Sequence, residues 1–470
     1  MPDPTPDPRP HLVVGFGVTG AAVARALVEH GEDVVAVDDR PGPAAADAAR
    51  ELGLELVAAP DHAALSGLVR GAAALLPAPG LPATHPAFEL AREHGTPVLS
   101  EFDLAARWDD RPLLAITGTD GKTTVTTLTC RMLEASGLAA RAVGNTPVPL
   151  VAAIGDPTID VFVVEASSFR LDHSQRFAPA VGTWLNFAPD HLDNHRSLVE
   201  YETAKARIWR DQRPQDVAIG SLDDPVVARH LAAAPGRRLG FGLGADAVAR
   251  AGKGAAAVVD GVLVTADGDA LVPVDELPRR FPHDLLNALA AVSTALAGGG
   301  TVDGVRAALR AFTGLPHRVA LVGEAGGVRW YDDSKATTPH AVLAAVEAFP
   351  SLVLIAGGRN KGLDLGELAA AAPRARAVVA IGDAASEVAA AFAPTGVPVR
   401  PAASMDEAVT LAAGLAEAGD AVLLSPGCAS FDWYRSYGER GDDFARAVRE
   451  HVLAGGGGTG VGGDAAGGTG

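Results

Sequence analysis

A loop with the composition of a phosphate-binding site follows an apolar stretch of the sequence. It runs Ile116-Thr-Gly-Thr-Asp-Gly-Lys-Thr-Thr124, with Ile116 at the position where phosphate-binding loops carry their first glycine. Loop N–H groups can wrap phosphate oxygens, a lysine can neutralise them, and the next hydroxyl can ligate Mg²⁺. The sequence therefore predicts ATP binding by Gly118, Thr119, Asp120, Gly121, Lys122, Thr123 and Thr124.

A second glycine-rich loop, Gly15-Phe-Gly-Val-Thr-Gly20, lies near the start, with Asp38-Asp-Arg40 about twenty residues later. This pattern suits NAD, FAD or any other nucleotide diphosphate at a helix N-terminus, and it also occurs as a tight turn without a ligand. A dehydrogenase needs no phosphate loop, and a simple nucleotide hydrolase needs no Gly-x-Gly-x-x-Gly. Together the two loops predict an enzyme that holds a nucleotide-linked substrate in one domain and ATP in the next.

Lysine is rare in this chain: five of its 39 lysine and arginine residues are lysines. Arginine cannot supply a compact ammonium or a deprotonatable amine, so the retained lysines are candidates for chemistry, although a compositional bias would also leave few of them. Four lie in segments suited to anions, and Lys253 looks incidental. The five are Lys122, Lys205, Lys253, Lys335 and Lys361. Helical periodicity alone makes Lys205 an exposed residue that pairs with Glu202.

Several polar groups follow apolar stretches that have the character of strands. Glu165 is a candidate metal ligand or helix cap. His191 and His195 lack the further ligands that a zinc site needs. His191 could instead contact Mg²⁺ or the substrate, or both could be polar residues at the surface. Three more polar segments, 331–339, 356–362 and 425–434, also follow apolar strands. Because ligands bind at the carboxyl edge of parallel sheets, these segments are candidate binding loops.

Short β-branched runs alternate with Ala- and Leu-rich helical patterns, which predicts an α/β fold with largely parallel sheets. Three domains are expected: a Rossmann-like domain over 1–107, a P-loop ATPase-like domain over 108–314 and a Rossmann-like domain over 315–454. Residues 234–275 predict only short strands and turns. The Gly-rich stretch 455–470 is expected to be a disordered tail.

Composition excludes several functions. A net charge of −18 argues against nucleic acid and anionic membranes as partners. Two distant cysteines indicate a reducing compartment, and we expect no signal peptide, no membrane insertion and a cytoplasmic protein.

Taken together, these motifs resemble those of the Mur ligases, ATP-dependent amide-forming enzymes of peptidoglycan precursor synthesis, in order from Gly15 to about Phe444. Asp333-Ser-Lys-Ala-Thr337 and Ser425-Pro-Gly-Cys-Ala-Ser430 are most similar to the members that add D-glutamate to UDP-N-acetylmuramoyl-L-alanine through an acyl phosphate. The resemblance implies these two substrates, ATP and Mg²⁺, and a monomer is expected. A nucleotide-dependent dehydrogenase and a non-catalytic relative are the alternatives, but neither explains the whole set of lysines and metal-site residues.

The resemblance also implies individual roles. Catalysis would use Lys122, His191, Lys205 and Lys335, and metal binding would use Thr123, Glu165, His191 and a carbamylated Lys205. Asn287, Arg318 and Asp333 would join the phosphate loop in binding ATP. The substrates would contact Val18, Thr19, Asp38, Asp39, Arg40, Gly80, Asn145, Ser167, Thr337, Lys361, Ser430, Phe431 and Tyr437. The chain departs from the family pattern at Ala78, at Arg170 (usually glutamine), at Asp284 (usually asparagine) and at Thr146-Pro147.

Overall fold

The computed structural model describes residues 8–190 and 194–453, so His191 and the expected tail 455–470 lie outside the described residues. The chain divides into two compact units. The first comprises the residues up to 280 together with 284–312, and the second comprises 281–283 with the residues from 313 onward. The first unit contains two sheets and the second contains one, and parallel pairs predominate in each.

The first sheet of unit one is fully parallel, in the strand order β3-β2-β1-β4. Its strands are β1 (His11–Val14), β2 (Val34–Asp38), β3 (Leu56–Ala58) and β4 (Ala74–Pro77). Its helices are α1 (Val18–Glu29), α2 (Pro43–Glu51), α3 (His62–Gly71), α4 (Pro86–His94) and α5 (Glu101–Trp108). The turn from β1 to α1 requires glycine, because Gly15 has φ +87° and a Cβ on Gly20 would lie 2.0 Å from the Gly15 carbonyl oxygen.

The second sheet of unit one has nine strands in the order β13-β12-β11-β10-β9-β8-β5-β7-β6. Its strands are β5 (Leu113–Thr117), β6 (Ala140–Gly144), β7 (Val161–Glu165), β8 (Val181–Trp184), β9 (Val217–Ser221), β10 (Arg237–Gly242), β11 (Ala255–Val259), β12 (Val262–Val264) and β13 (Ala270–Pro273). Its helices are α6 (Lys122–Ala135), α7 (Leu150–Ala153), α8 (Ser168–Asp172), α9 (Leu198–Arg210), α10 (Pro225–Ala233), α11 (Ala245–Ala249), α12 (Pro282–Ala297) and α13 (Val302–Ala311), with a 3-10 turn at Val274–Glu276. Among the described strands of this sheet, the pairs β11–β12 and β12–β13 are antiparallel and the other pairs are parallel.

Unit two contains a six-stranded sheet in the order β14-β15-β19-β16-β17-β18, in which β14 is antiparallel and the other pairs are parallel. Its strands are β14 (Ala320–Ala325), β15 (Val328–Asp332), β16 (Leu352–Gly357), β17 (Ala375–Ile381), β18 (Val399–Ala402) and β19 (Ala421–Leu424). Its helices are α14 (Pro339–Val346), α15 (Ala385–Phe392), α16 (Met405–Leu415) and α17 (Tyr437–Val448). Shorter turns are 3-10 at Leu365–Ala371 and Ala393–Thr395, and π-helical at Arg449–Leu453.

The predicted α/β fold with largely parallel sheets is confirmed. Apolar side chains cover both faces of the third sheet, with Leu352 and Leu354 in one core and Val353 and Ile355 in the other. Burial on both faces explains why such strands appear in the sequence as continuous apolar runs. Within 8–190 and 194–453, no helix has both the length and the apolar character needed to span a membrane.

Candidate active site

The glycine-rich loop after β1 is closed by an acidic side chain at the end of β2. One carboxylate oxygen of Asp38 accepts from the Phe16 N–H at 2.6 Å and the other from the Arg40 N–H at 2.8 Å. Asp39 lies 3.1 Å from the ring of His85, while Val18 at the start of α1 is exposed. The N-terminus of α1 has no side-chain cap, so its N–H groups are available to an anion.

The loop that carries Gly80 packs against this first glycine-rich loop. A Cβ on Gly15 would lie 2.7 Å from the Cβ of Ala78, and the Ala78 N–H donates to the Val14 carbonyl oxygen at 2.8 Å. The small side chain at position 78 therefore allows the two loops to approach closely. Gly80 itself is exposed at this edge of the first sheet.

The phosphate loop connects β5 to α6, and the side chain of Asn186, for which the sequence predicted no role, holds it in shape. The Asn186 side-chain oxygen accepts from the Thr119 and Asp120 N–H groups, both at 2.9 Å. The Asn186 amide donates to the Asp120 carbonyl oxygen at 3.2 Å. Gly121 caps α6 with φ +83°, and Thr123 and Thr124 occupy the first turn of the helix. Asn186 follows β8, which is the neighbour of β5 in the sheet. Its position directly after an apolar strand is the sequence feature that could have marked it as a site residue.

Two lysines meet at one carbonyl oxygen of this loop. The Lys122 ammonium donates to the Gly118 and Thr119 carbonyl oxygens at 2.8 and 2.7 Å, and Lys205 donates to the same Gly118 oxygen at 2.7 Å. Lys205 is only 1% exposed and stands over the ring of Tyr201. Burial, and after it the positive charge of Lys122, holds the pKa of the Lys205 amine well below its usual range.

The sequence-based expectation of an exposed Lys205 paired with Glu202 is wrong. Glu202 instead lies 2.6 Å from both Arg229 and His230, while Lys205 is buried and donates to the Gly118 carbonyl oxygen. His195 is likewise a buried residue rather than a surface group, because its ring lies 2.9 Å from the Ser168 hydroxyl and stacks on Phe169.

Glu165 ends β7 beside the phosphate loop, since it is opposite Ile116 in the parallel pair β5–β7. One of its carboxylate oxygens accepts from the Asn145 amide at 3.0 Å. The other oxygen is buried and has no hydrogen-bond partner within the described part of the chain. A buried carboxylate oxygen in this situation is suited to a hard cation. Ser167, two residues later, caps α8.

Asn287 lies on α12 against the start of α6. A Cβ on Gly121 would come within 2.5 Å of the Asn287 side-chain oxygen, so the phosphate loop and α12 are in close contact. Asn287 lines a pocket in unit one whose wall combines apolar residues with an ion pair between Arg279 and Asp284, 2.9 Å apart. The pocket therefore combines one amide and one ion pair with apolar side chains such as Leu277 and Phe312.

In unit two, three polar loops follow the neighbouring strands β15, β19 and β16. Asp333 follows β15, and its two oxygens accept from the Ser425 hydroxyl at 2.7 Å and the Val319 N–H at 3.2 Å. Burial raises the pKa of the Asp333 carboxyl to about 7, against the opposing effects of the Ser425 hydrogen bond and the Arg318 charge. Arg318 and Asp333 are thus close enough to interact electrostatically.

A buried arginine that the sequence did not reveal ties these loops together. Arg440 on α17 is 1% exposed and donates to the hydroxyl and carbonyl oxygens of Ser334 at 2.9 and 2.8 Å, and to the Cys428 carbonyl oxygen at 3.1 Å. Burial lowers the pKa of its guanidinium to about 10. Since Ser334 precedes Lys335 and Cys428 lies two residues before Ser430, Arg440 sets the spacing between two predicted substrate loops.

The remaining predicted residues of unit two lie on the same loops, except Tyr437, which is the first residue of α17. The Lys335 ammonium stands 3.9 Å from the ring centre of Tyr437, and the Lys361 ammonium 5.3 Å from that of Phe431. Thr337 is half-buried ahead of α14, and Ser430 is buried. Unit two therefore presents two ammonium groups and two partly exposed aromatic rings on its polar loops.

Comparisons with known proteins match the chain along most of its length. Residues 9–100 match the N-terminal domain of MurD-like Mur ligases, 116–295 the Mur ligase middle domain, and 317–428 the Mur ligase glutamate ligase domain. A protein of Frankia casuarinae named UDP-N-acetylmuramoylalanine--D-glutamate ligase is 46% identical over 94% of both chains. The protein of that name from Desulfosudis oleivorans is 41% identical over 93% of this chain and 96% of its own.

Solved structures agree at the level of the fold. MurF from Acinetobacter baumannii has a TM-score of 0.58 at 19% identity, covering 93% of this chain and 90% of its own. MurF ligase from Thermotoga maritima in complex with ADP has a TM-score of 0.56 at 17% identity, covering 94% of this chain and 96% of its own. These likenesses concern the fold, whereas the relatives above share a substantial part of the sequence.

Proposed function

The chain belongs to the Mur ligase family, and on that premise we propose that it joins D-glutamate to UDP-N-acetylmuramoyl-L-alanine at the expense of ATP, in peptidoglycan precursor synthesis in the cytoplasm. The names of its relatives at 46% and 41% identity support this choice of substrates. The match of residues 317–428 to the glutamate ligase domain supports it independently.

The observation that carries the proposal is the pair of lysines at the Gly118 carbonyl oxygen. Two ammonium groups cannot share one acceptor in a buried site at low cost, and burial together with the nearby Lys122 charge lowers the pKa of the Lys205 amine well below its usual range. Both effects favour the neutral form of the Lys205 amine. A neutral amine can add to CO₂ with loss of one proton, and the product is a carbamate anion. Carbamylation thus turns a buried cation beside the phosphate loop into an oxygen ligand, which arginine cannot do.

The residues present fit a Mg²⁺ ion. The buried, unpaired oxygen of Glu165 and the Thr123 hydroxyl, together with a carbamate on Lys205, would supply hard oxygen ligands. Such an ion would neutralise charge on the phosphate oxygens during transfer. His191 remains a proposed ligand and substrate contact, on the basis of the resemblance.

ATP is proposed to bind with its phosphates at Gly118–Thr124 and its base in the Asn287 pocket. The ammonium of Lys122 can swing from the loop carbonyls to the β and γ oxygens, where it offsets their charge. The substrate carboxylate attacks the γ-phosphorus, the bond to the β-phosphate oxygen breaks, and ADP leaves. The products of this step are an acyl phosphate and ADP.

D-Glutamate is proposed to bind on unit two, where Lys361, Thr337 and Ser430 would hold its carboxylates and Lys335 would stabilise phosphate charge. Its amine, once deprotonated, attacks the acyl carbon, and the bond from that carbon to the phosphate oxygen breaks. The amide and inorganic phosphate form in this step. A pocket that excludes water would protect the acyl phosphate from hydrolysis.

The test is a coupled assay with the purified full-length chain. Phosphate release from ATP should require both UDP-N-acetylmuramoyl-L-alanine and D-glutamate, and mass spectrometry should show one amide product per phosphate. Lys122→Met should abolish both signals, whereas Lys253→Met, at an exposed lysine of the same chain, should leave them unchanged. If wild-type protein turns over ATP without making the amide, the proposed substrates are wrong.

A further inference from the structure

Arg170 is a buried cation that the proposed reaction does not use. It lies on α8 and is 6% exposed, at the position where the family resemblance leads us to expect a neutral glutamine. Burial lowers the pKa of its guanidinium to about 10, so it still carries its charge at neutral pH. Buried charged side chains are almost always paired with an opposite charge, because burial of an unpaired charge is costly.

Its charge partner is Glu101, at the first position of α5 and 5% exposed, whose carboxylate contacts the Arg170 guanidinium directly. The other oxygen of Glu101 accepts from the Val151 N–H at 3.4 Å. A capping box of Ser100 and Asp103 holds the start of α5. The ion pair is therefore fixed at its acidic end and has little net charge to offer to an anion.

The neighbourhood of α8 is anchored to the first sheet's helices at further points. The N–H groups of Gln175 and Arg176 both donate to Asp103 at 2.8 Å, and the ring of His173 stacks on Phe88 at 4.8 Å. These contacts hold α8 against α4 and α5. Arg170 is thus presented rigidly rather than on a mobile loop.

The other end of the guanidinium reaches the glycine-rich loop 15–20 at the start of α1. Its Nη2 group donates to the Thr19 hydroxyl oxygen at 3.2 Å, in the first turn of α1. A hydroxyl has one hydrogen and two lone pairs, so an oxygen that accepts from Arg170 keeps its own hydrogen for another acceptor. An anion at the N-terminus of α1 is such an acceptor.

We propose that Arg170, held by Glu101, is a positioning residue that orients the Thr19 hydroxyl as a donor to the diphosphate of the nucleotide substrate. This inference rests on the proposed function for the identity of that substrate. The guanidinium acts through Thr19 and not by its own charge, which Glu101 offsets. The contacts from Glu101 through Arg170 to Thr19 connect α5, α8 and α1 at the glycine-rich loop 15–20.

The experiment is a double-mutant cycle in the full-length protein. Arg170→Lys keeps the charge and the possibility of pairing with Glu101, but an ammonium lacks the fork that serves Glu101 and Thr19 together. Thr19→Val removes only the hydroxyl. We would measure the dissociation constant of UDP by calorimetry without ATP, and the KM of each substrate in the ligase assay.

Each single variant should weaken UDP binding and raise the KM of the nucleotide substrate about tenfold or more, the size of one hydrogen bond to a charged group. In the Thr19→Val background, Arg170→Lys should add less than about a twofold effect. The KM values of ATP and D-glutamate should not change. Arg176→Lys, at an exposed arginine of the same segment, is the matched control and should behave like wild type.

Equal effects of Arg170→Lys with and without the Thr19 hydroxyl would overturn the inference, and so would an unchanged UDP affinity in Arg170→Lys. A purely structural role predicts the first of these results, together with a loss of thermal stability. Glu101→Gln provides a second variant, which should also weaken UDP binding only when Thr19 is intact. A wild-type protein that binds UDP but makes no amide would instead count against the proposed function alone.

Discussion

Replacement of Asp333 by asparagine should change how the stability of the protein depends on pH. The Asp333 side chain is buried in unit two with a pKa of about 7, raised chiefly by that burial, against a reference value of 3.8. The folded state therefore binds this proton more tightly than the unfolded state. Stability is highest below the unfolded-state pKa and falls as pH rises from about 4 to about 7.

The size of the effect follows from the two pKa values. Relative to a side chain that cannot ionise, this pKa difference lowers the free energy of unfolding by about 2 kcal/mol at pH 5 and by about 4 kcal/mol at pH 8. Wild-type protein should thus lose roughly 2 to 3 kcal/mol between these pH values from this residue alone. Asparagine has nearly the same shape, cannot ionise, and can still accept from the Val319 N–H that Asp333 binds.

The assay is urea unfolding of both proteins at pH 5 to 8, with the tryptophan fluorescence of the chain as the probe. The difference in the free energy of unfolding between Asp333→Asn and wild type should change by roughly 2 to 3 kcal/mol in favour of the variant as pH rises from 5 to 8. Asp383→Asn, at an exposed carboxylate of the same unit, should follow the wild-type curve. An infrared difference spectrum should show a protonated carboxylic acid at pH 6 that is absent from Asp333→Asn. A difference that does not vary with pH, or a missing acid band, would refute the reasoning.

Two other substitutions test the phosphate loop. Lys205→Ala should lower kcat by about a hundredfold, and added formate or acetate should restore part of the activity, because a small carboxylate can replace the carbamate. Lys253→Ala should leave kcat unchanged. Full activity of Lys205→Ala without added carboxylate would exclude the carbamate. Gly121→Ala should raise the KM of ATP about tenfold, since φ is +83° and the new Cβ would lie 2.5 Å from the Asn287 side-chain oxygen. Gly137→Ala has the same backbone strain at φ +87° in open space, so it should cost about 1 kcal/mol of stability and leave the KM of ATP unchanged. Equal KM values in the two glycine variants would argue against a role of the Asn287 contact.

Much of the fold could be predicted because its signals are local. Runs such as 113–116 and 352–356 are apolar throughout, as strands buried on both faces must be, and they form β5 and β16. The turns that carry Gly15 and Gly121 need positive φ and close packing, so glycine at fixed spacing marks them in the sequence. Local chemistry also identified Lys122 as a phosphate-loop residue.

What only the tertiary structure decided is which distant groups meet. Periodicity along α9 could not show that Lys205 faces the phosphate loop, because its hydrogen-bond partner, Gly118, lies 87 positions away in the sequence. The Glu101–Arg170 pair and the four hydrogen bonds of Arg440 join residues separated by 69, 106 and 12 positions. The amino-acid sequence determined the elements and the chemistry available at their ends, whereas the packing of sheets and helices determined which of those groups are buried, and therefore which charges are altered.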